Sequence, residues 1–228
     1  MGGQACVFYG AAEFSRDTDV ALMASPENLE RLRCALAELE SEVIAVPPFD
    51  MTYLERGHAV HFRCRHREAK GMRLDVMSKM RGVADFPVLW DRRTTAELDG
   101  WAIDLLALPD LVAAKKTQRD KDWPMIRRLI EANYLNHQTD PNSDQILFWM
   151  SECRTPELLR ELVRRFPATI ASLPTGRAWL ANLEVMTDAE IENVLASEEQ
   201  QERIEDRKYW HPLRAELEQL RHEKKLKS

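Results

Sequence analysis

At Leu108-Pro109 the chain changes its periodicity, and the two sides of that point call for different architectures. Upstream, short apolar runs alternate with turn residues. Residues 17–23, 42–46, 59–65 and 72–77 read as strands, the last two forming a hairpin that turns at Ala69-Lys70-Gly71. Residues 94–98 and 101–106 flank Asp99-Gly100, a pair that readily takes the positive φ of a two-residue hairpin turn. Between the first strands, Ser25-Pro26-Glu27 supplies a hydroxyl cap, a proline at the first helical position and an acid in the first turn. Leu29, Leu32, Leu36 and Leu39 follow at helical spacing, an apolar stripe fit to lie on a sheet. Asp50 is placed to cap a short helix ending at Gly57.

Downstream the strand signal disappears. Residues 110–116, 123–134, 144–150, 156–166, 177–183, 188–197 and 201–225 all read as helices, and Thr187-Asp188-Ala189-Glu190 has the form of a capping box. The pattern predicts an α+β fold: a mixed sheet with flanking helices over residues 1–107, then an all-helical domain over residues 108–228. Such a chain of 228 residues, 44% apolar and 31% charged, is long enough to bury a real core. No run approaches the length of a membrane span. The cysteines Cys6, Cys34, Cys64 and Cys153 form no C-x-x-C pair, which predicts reduced thiols and a cytoplasmic location. A net charge of −6 excludes a general nucleic-acid-coating protein while allowing a local basic patch.

Chemistry concentrates near the N-terminus. Asp17 and Asp19 are two apart on a strand, so their side chains share one face with backbones roughly 6–7 Å apart. Two parallel carboxylates repel unless a positive charge sits between them, and a divalent ion is the usual solution. Asp75, in the run 72–77, is a third acid on a separate strand. Gly2 and Gly3 lack a Cβ, so their backbone N–H groups can approach phosphate oxygens closely. Three acids on two strands and a glycine pair describe a metal-dependent phosphoryl or nucleotidyl transfer site. Taken alone, a D-x-D pair is as readily a solvated strand end, and a glycine pair an ordinary flexible terminus. Arg16 is placed either to steer a triphosphate or to pair with a neighbouring acid. Arg63, Arg65 and Arg67 alternate along one strand, where they suit acceptor phosphates or simply protect an exposed edge.

These residues resemble the DNA-polymerase-beta-like nucleotidyltransferase superfamily, and within it the minimal and abortive-infection (toxin–antitoxin) types. The signature there is a glycine pair, a spacer, acid-x-acid and a later third acid; here it is Gly2-Gly3, Asp17-Thr18-Asp19 and Asp75. Phe14-Ser15-Arg16-Asp17-Thr18-Asp19-Val20 matches the approach to the acids, and Leu108-Pro109-Asp110-Leu111-Val112 with Lys115 and Arg119-Asp120-Lys121-Asp122 resembles the helical segment that follows. The resemblance covers about residues 1–130. Members of the family ordinarily carry a helix and a strand ahead of the glycine pair, where only Met1 stands here. It follows from the resemblance that the natural start lies upstream or that one inner strand is lacking.

What the resemblance implies is an enzyme that moves a nucleoside monophosphate from an NTP such as ATP to a macromolecular hydroxyl, a tRNA 3′ end or a partner protein, and releases pyrophosphate. By the same resemblance Asp17, Asp19 and Asp75 would be the catalytic residues and the ligands of two Mg²⁺ ions. Asp17 and Asp19 would hold both, and Asp75 would complete the site and receive the proton of the attacking hydroxyl, while Gly2, Gly3, Arg16, Lys115 and Lys121 would contact the nucleotide. The same resemblance allows a catalytically silent binding module or antitoxin component, with a cognate toxin or antitoxin as partner. A nucleotide-sugar glycosyltransferase, which also uses D-x-D with a divalent ion, leaves the glycine pair without a role.

Overall fold

The computed structural model describes residues 1–227 and is a mixed α+β structure. It divides into two compact units: Met1–Lys115 together with the chain from Asp206 onward, and Lys116–Glu205. The predicted boundary at residue 107 thus shifts to the end of helix α5 (Leu108–Lys115), which buries Leu108, Leu111 and Val112 within the first unit.

The first unit is built on a four-stranded sheet in the order β1-β4-β3-β2, from β1 (Asp17–Ala21), β2 (Glu42–Val43), β3 (Val60–Arg63) and β4 (Arg73–Met77). β1 runs parallel to β4, and the other neighbours are antiparallel. Alternation along these strands separates two faces. One carries Val20, Val60, Phe62, Leu74 and Val76, and is covered by Leu29 and Leu36 of α2 (Pro26–Glu38) and Leu54 of α3 (Met51–Arg56). The other carries the charged residues described below.

The local signals act as read. The Ser25 hydroxyl accepts a hydrogen bond from the Asn28 N–H at 3.3 Å, Asp50 accepts from Thr52 N–H at 2.8 Å, and Gly57 closes α3 in the left-handed region at φ 98°. A separate hairpin joins β5 (Thr94–Leu98) to β6 (Trp101–Leu105), with Asp99 at φ 53° and Gly100 at φ 80°. Three details differ from expectation. β2 is only two residues long, although the Ile44 N–H just beyond it still donates to the His61 carbonyl at 2.9 Å. The predicted run of three arginines on one strand ends at Arg63: Arg65 leaves the ladder to pair with Glu42, and Arg67 lies in a 3₁₀ turn. A short helix, α4 (Phe86–Asp91), precedes the hairpin at a place the periodicity did not mark.

The second unit packs α6 (Asp122–His137), α7 (Ser143–Glu152) and α8 (Pro156–Arg165) around Ile126, Leu129, Ile130, Trp149, Leu159 and Leu162. Tyr134 and Trp149 meet edge to face, their ring centroids 5.1 Å apart. The buried Arg177 donates to the Cys153 carbonyl at 2.8 Å and pairs with Glu198 at 2.7 Å, so its charge is compensated. Residues 175–185 form 3₁₀ turns instead of the predicted α-helix. The two helices predicted at 188–197 and 201–225 are one, α9 (Asp188–Lys227), because Glu198, Glu199 and Gln200 between them are good helix formers. Its start carries the expected box, with Thr187 N–H donating to Glu190 at 2.7 Å and the Glu190 N–H to the Thr187 hydroxyl at 3.3 Å. In the first unit, the end of α9 lays Tyr209 and Leu213 against Gly57 and reaches His58 through Glu216 at 2.7 Å.

Candidate active site

The pairing register arranges the polar face of the sheet in rows. Asp17 stands opposite Arg73, which stands opposite Arg63; one step along, Asp19 stands opposite Asp75, which stands opposite His61. All six side chains belong to one face, since each is two residues from its neighbour on the same strand.

α1 (Gly2–Phe8) packs on β1 and presents its first turn to Asp19. The Gly3 N–H donates to Asp19 Oδ2 at 3.4 Å, and the Met1 nitrogen donates to the Asp19 carbonyl oxygen at 2.8 Å. Gly2 sits at φ 63°, and a Cβ built on it would lie 1.9 Å from Asp19 Oδ2, a distance no side chain tolerates. At Gly3 a Cβ would meet the Ser15 hydroxyl oxygen at 2.3 Å. Gly2 is therefore required for the chain to come this close to the acid, whereas at Gly3 the obstacle to a side chain is Ser15. The helix begins at Gly2 itself.

The two adjacent acids live in opposite electrostatic settings. Burial, and then the charge of Asp75, push the Asp19 carboxyl above its ordinary value, against the opposing pull of the Gly3 N–H, the Met1 amine and Lys115. For Asp75 burial acts in the same upward direction. It is outweighed by hydrogen bonds from His61 and Arg73 and by their charge, which leave the carboxyl below its ordinary value. Arg73 Nε and His61 Nδ1 both lie 2.8 Å from the same oxygen, Asp75 Oδ1, and Arg73 Nη2 is 3.2 Å from His61 Nδ1.

The fold thus brings Gly2, Gly3, Asp19 and Asp75 together, with the buried Lys115 near enough for its charge to act on Asp19. Asp17 is exposed at the start of β1, one row away. Arg16 is exposed just before that strand, and Lys121 belongs to the second unit. Arg73 and His61 were not read from the sequence as part of the site. The signal for Arg73 was present, since it precedes Asp75 by two residues on the same strand and must share its face.

In kind, the donors fit a hard divalent cation: partly buried carboxylates on adjacent strands, one of them raised by burial and then by the charge of the other. Among the described residues, however, no group of three or more His, Cys, Asp or Glu side chains is gathered closely enough to hold an ion. A guanidinium, not a third carboxylate, is the charged group that touches Asp75. Among the described residues no helix is long and apolar enough to cross a membrane. No family model, curated protein or solved structure gives a significant match to this chain.

Proposed function

We propose that the chain is a metal-dependent nucleotidyltransferase that moves a nucleoside monophosphate from an NTP to a hydroxyl of a macromolecular acceptor, a tRNA 3′ end or a partner protein. The observation that carries this reading is the meeting of Asp19 with Asp75 on adjacent parallel strands, under a glycine pair packed on the Asp19 carboxylate. In the reaction the acceptor hydroxyl gives its proton to Asp75 as its oxygen forms a bond to the α-phosphorus, the bond from that phosphorus to the bridging oxygen breaks, and pyrophosphate leaves. Asp19 and Asp75, with Asp17 one row further along the same face, are the residues that would hold Mg²⁺, and the ion when bound would supply positive charge to the attacking and leaving oxygens. Lys115 adds positive charge beside Asp19. Gly2 and Gly3 let backbone approach without a side chain in the way.

The test is transfer of label from an NTP carrying a radioactive α-phosphate, with Mg²⁺ and a tRNA or protein acceptor pool. Asp19→Asn and Asp75→Asn should each abolish labelling with the fold retained. Labelling that survives both changes overturns the reading, and binding of UDP-sugars in preference to NTPs would favour glycosyl transfer.

A second reading, a catalytically silent member acting as a binding module or antitoxin component, is favoured by one specific contact. Arg73 and His61 already occupy an oxygen of Asp75. It calls for capture of a cognate protein partner with no Mg²⁺-dependent turnover.

A further inference from the structure

Beside the acidic pair lies a cavity of about 230 Å³ between β1, α4 and β6. That is below the roughly 300 Å³ at which sites for whole drug-sized ligands begin, and suits a single ring system. Its walls are Ala21 with the buried Leu89, Leu105 and Leu106. Trp90 also lines it, with its indole already held: stacked on Phe86 with centroids 5.8 Å apart and covered by the Arg93 guanidinium at 4.0 Å. A rigid aromatic of this kind loses little entropy when a flat ligand arrives.

Two charged groups break the apolar lining: Asp104 and the Arg93 guanidinium that pairs with it. Asp104 Oδ1 accepts from Arg93 Nε at 3.0 Å and from the Thr95 hydroxyl at 2.7 Å. Its second oxygen accepts from no protein donor among the described residues. The cavity therefore offers a largely apolar space with an exposed carboxylate acceptor on its lining. A carboxylate pairs with an N–H₂ edge and repels a carbonyl edge.

Its position ties it to the proposed chemistry. Ala21 follows Asp19 by two residues on β1, on the same face and roughly 6–7 Å further along. A ring seated against Ala21 would leave its ribose and phosphates to run back towards Asp19 and Asp75. We propose that this cavity is the base subsite of the nucleotide, and that it selects an adenine ring through its exocyclic amino group. The link to the NTP rests on the transferase reading above; the cavity itself is tested without phosphate, metal or turnover.

The experiment is a ligand-observed NMR titration of the full chain with adenosine and with inosine, which has the same shape but a carbonyl where adenosine has its amino group. Adenosine should bind at least tenfold more tightly than inosine. Ala21→Leu, which fills the cavity, should abolish adenosine binding, and Asp104→Asn should reduce the preference to about twofold or less, with melting curves showing that each variant is folded. No adenosine binding up to its solubility limit, or equal binding of inosine, overturns the proposal on the unmodified chain alone, even if a variant does not fold. Adenosine binding without transfer to any acceptor would count against the transferase reading only. Transfer without adenosine binding would count against the subsite only.

Discussion

Asp19 and Asp75 face each other across one parallel ladder, yet one carboxyl is raised and the other lowered from the ordinary aspartate value. The difference lies in what else each touches. Asp75 has a guanidinium and an imidazole at 2.8 Å. Asp19 has a long backbone N–H contact at 3.4 Å, the charge of its neighbour, and partial burial. The pair is thus asymmetric before any ligand arrives.

For Asp19 the folded carboxyl is raised, so the unfolded chain loses its proton first as pH rises and the ionised group costs stability near neutrality. That cost disappears as pH falls through the raised folded value. Asp19→Asn should therefore melt slightly higher than the unmodified chain at about pH 7, and the gap should close as pH is lowered towards about 4. Melting by circular dichroism across that range checks it; a variant that melts lower at neutral pH contradicts the assignment.

Asp75 has the opposite sign. Its folded carboxyl is lowered, so its contribution is present above the unfolded value of about 3.9 and is lost as pH falls through the folded one. Asp75→Asn should cost about 1–3 kcal/mol at neutral pH, because His61 and Arg73 then meet a neutral amide oxygen in place of a charged carboxylate. The lower end is expected, since the Arg73 side chain is 40% exposed and water can replace part of the contact. Urea unfolding measures it, and the difference between the two chains should vanish in acid below the folded value.

The glycine pair should separate two kinds of strain. Gly2→Ala places a methyl on the Asp19 carboxylate and holds alanine at positive φ, a backbone cost of about 1–2 kcal/mol that no neighbouring substitution relieves. Gly3→Ala meets only the Ser15 side chain, so Ser15→Ala should recover a large part of its loss. A double-mutant cycle on melting temperature reads this coupling. Equal, unrescued losses at both positions would show that the close approach is not the cause.

Thiol chemistry should follow burial. Cys153 is fully buried and its thiol is pushed up to about 11 by desolvation, while Cys6 and Cys64 are also buried and Cys34 is exposed. A native-state titration with a disulfide reagent at about pH 8 should find one fast thiol, removed by Cys34→Ser. Rapid modification of Cys153 in the folded chain would contradict the packing around Arg177.

Much of the local structure was legible in the residues. Caps at Ser25, Asp50 and Thr187, the Asp99-Gly100 turn and the leucine stripe of α2 act between neighbours a few positions apart, so their chemistry is written in short strings. α4 escaped notice because six residues are too few to establish a helical period, although Pro87 stands where a first turn accepts it. The division of α9 into two helices failed for a related reason: a local dip in apolar content marks a boundary only when a breaker accompanies it, and residues 198–200 include none.

By itself the sequence determined that this chain makes a sheet with one apolar and one charged face, followed by helices, and it nominated Asp17, Asp19 and Asp75. Tertiary structure alone decided which acid meets which. Register set Asp19 against Asp75 and left Asp17 beside Arg73, brought His61 from a third strand, and folded α4 and β6 around the cavity next to Ala21. Those contacts join residues far apart in the chain, and they are selected by burial of Val60, Phe62, Leu74 and Val76 on the opposite face. A shift of one residue in pairing would have exchanged every side chain between the two faces.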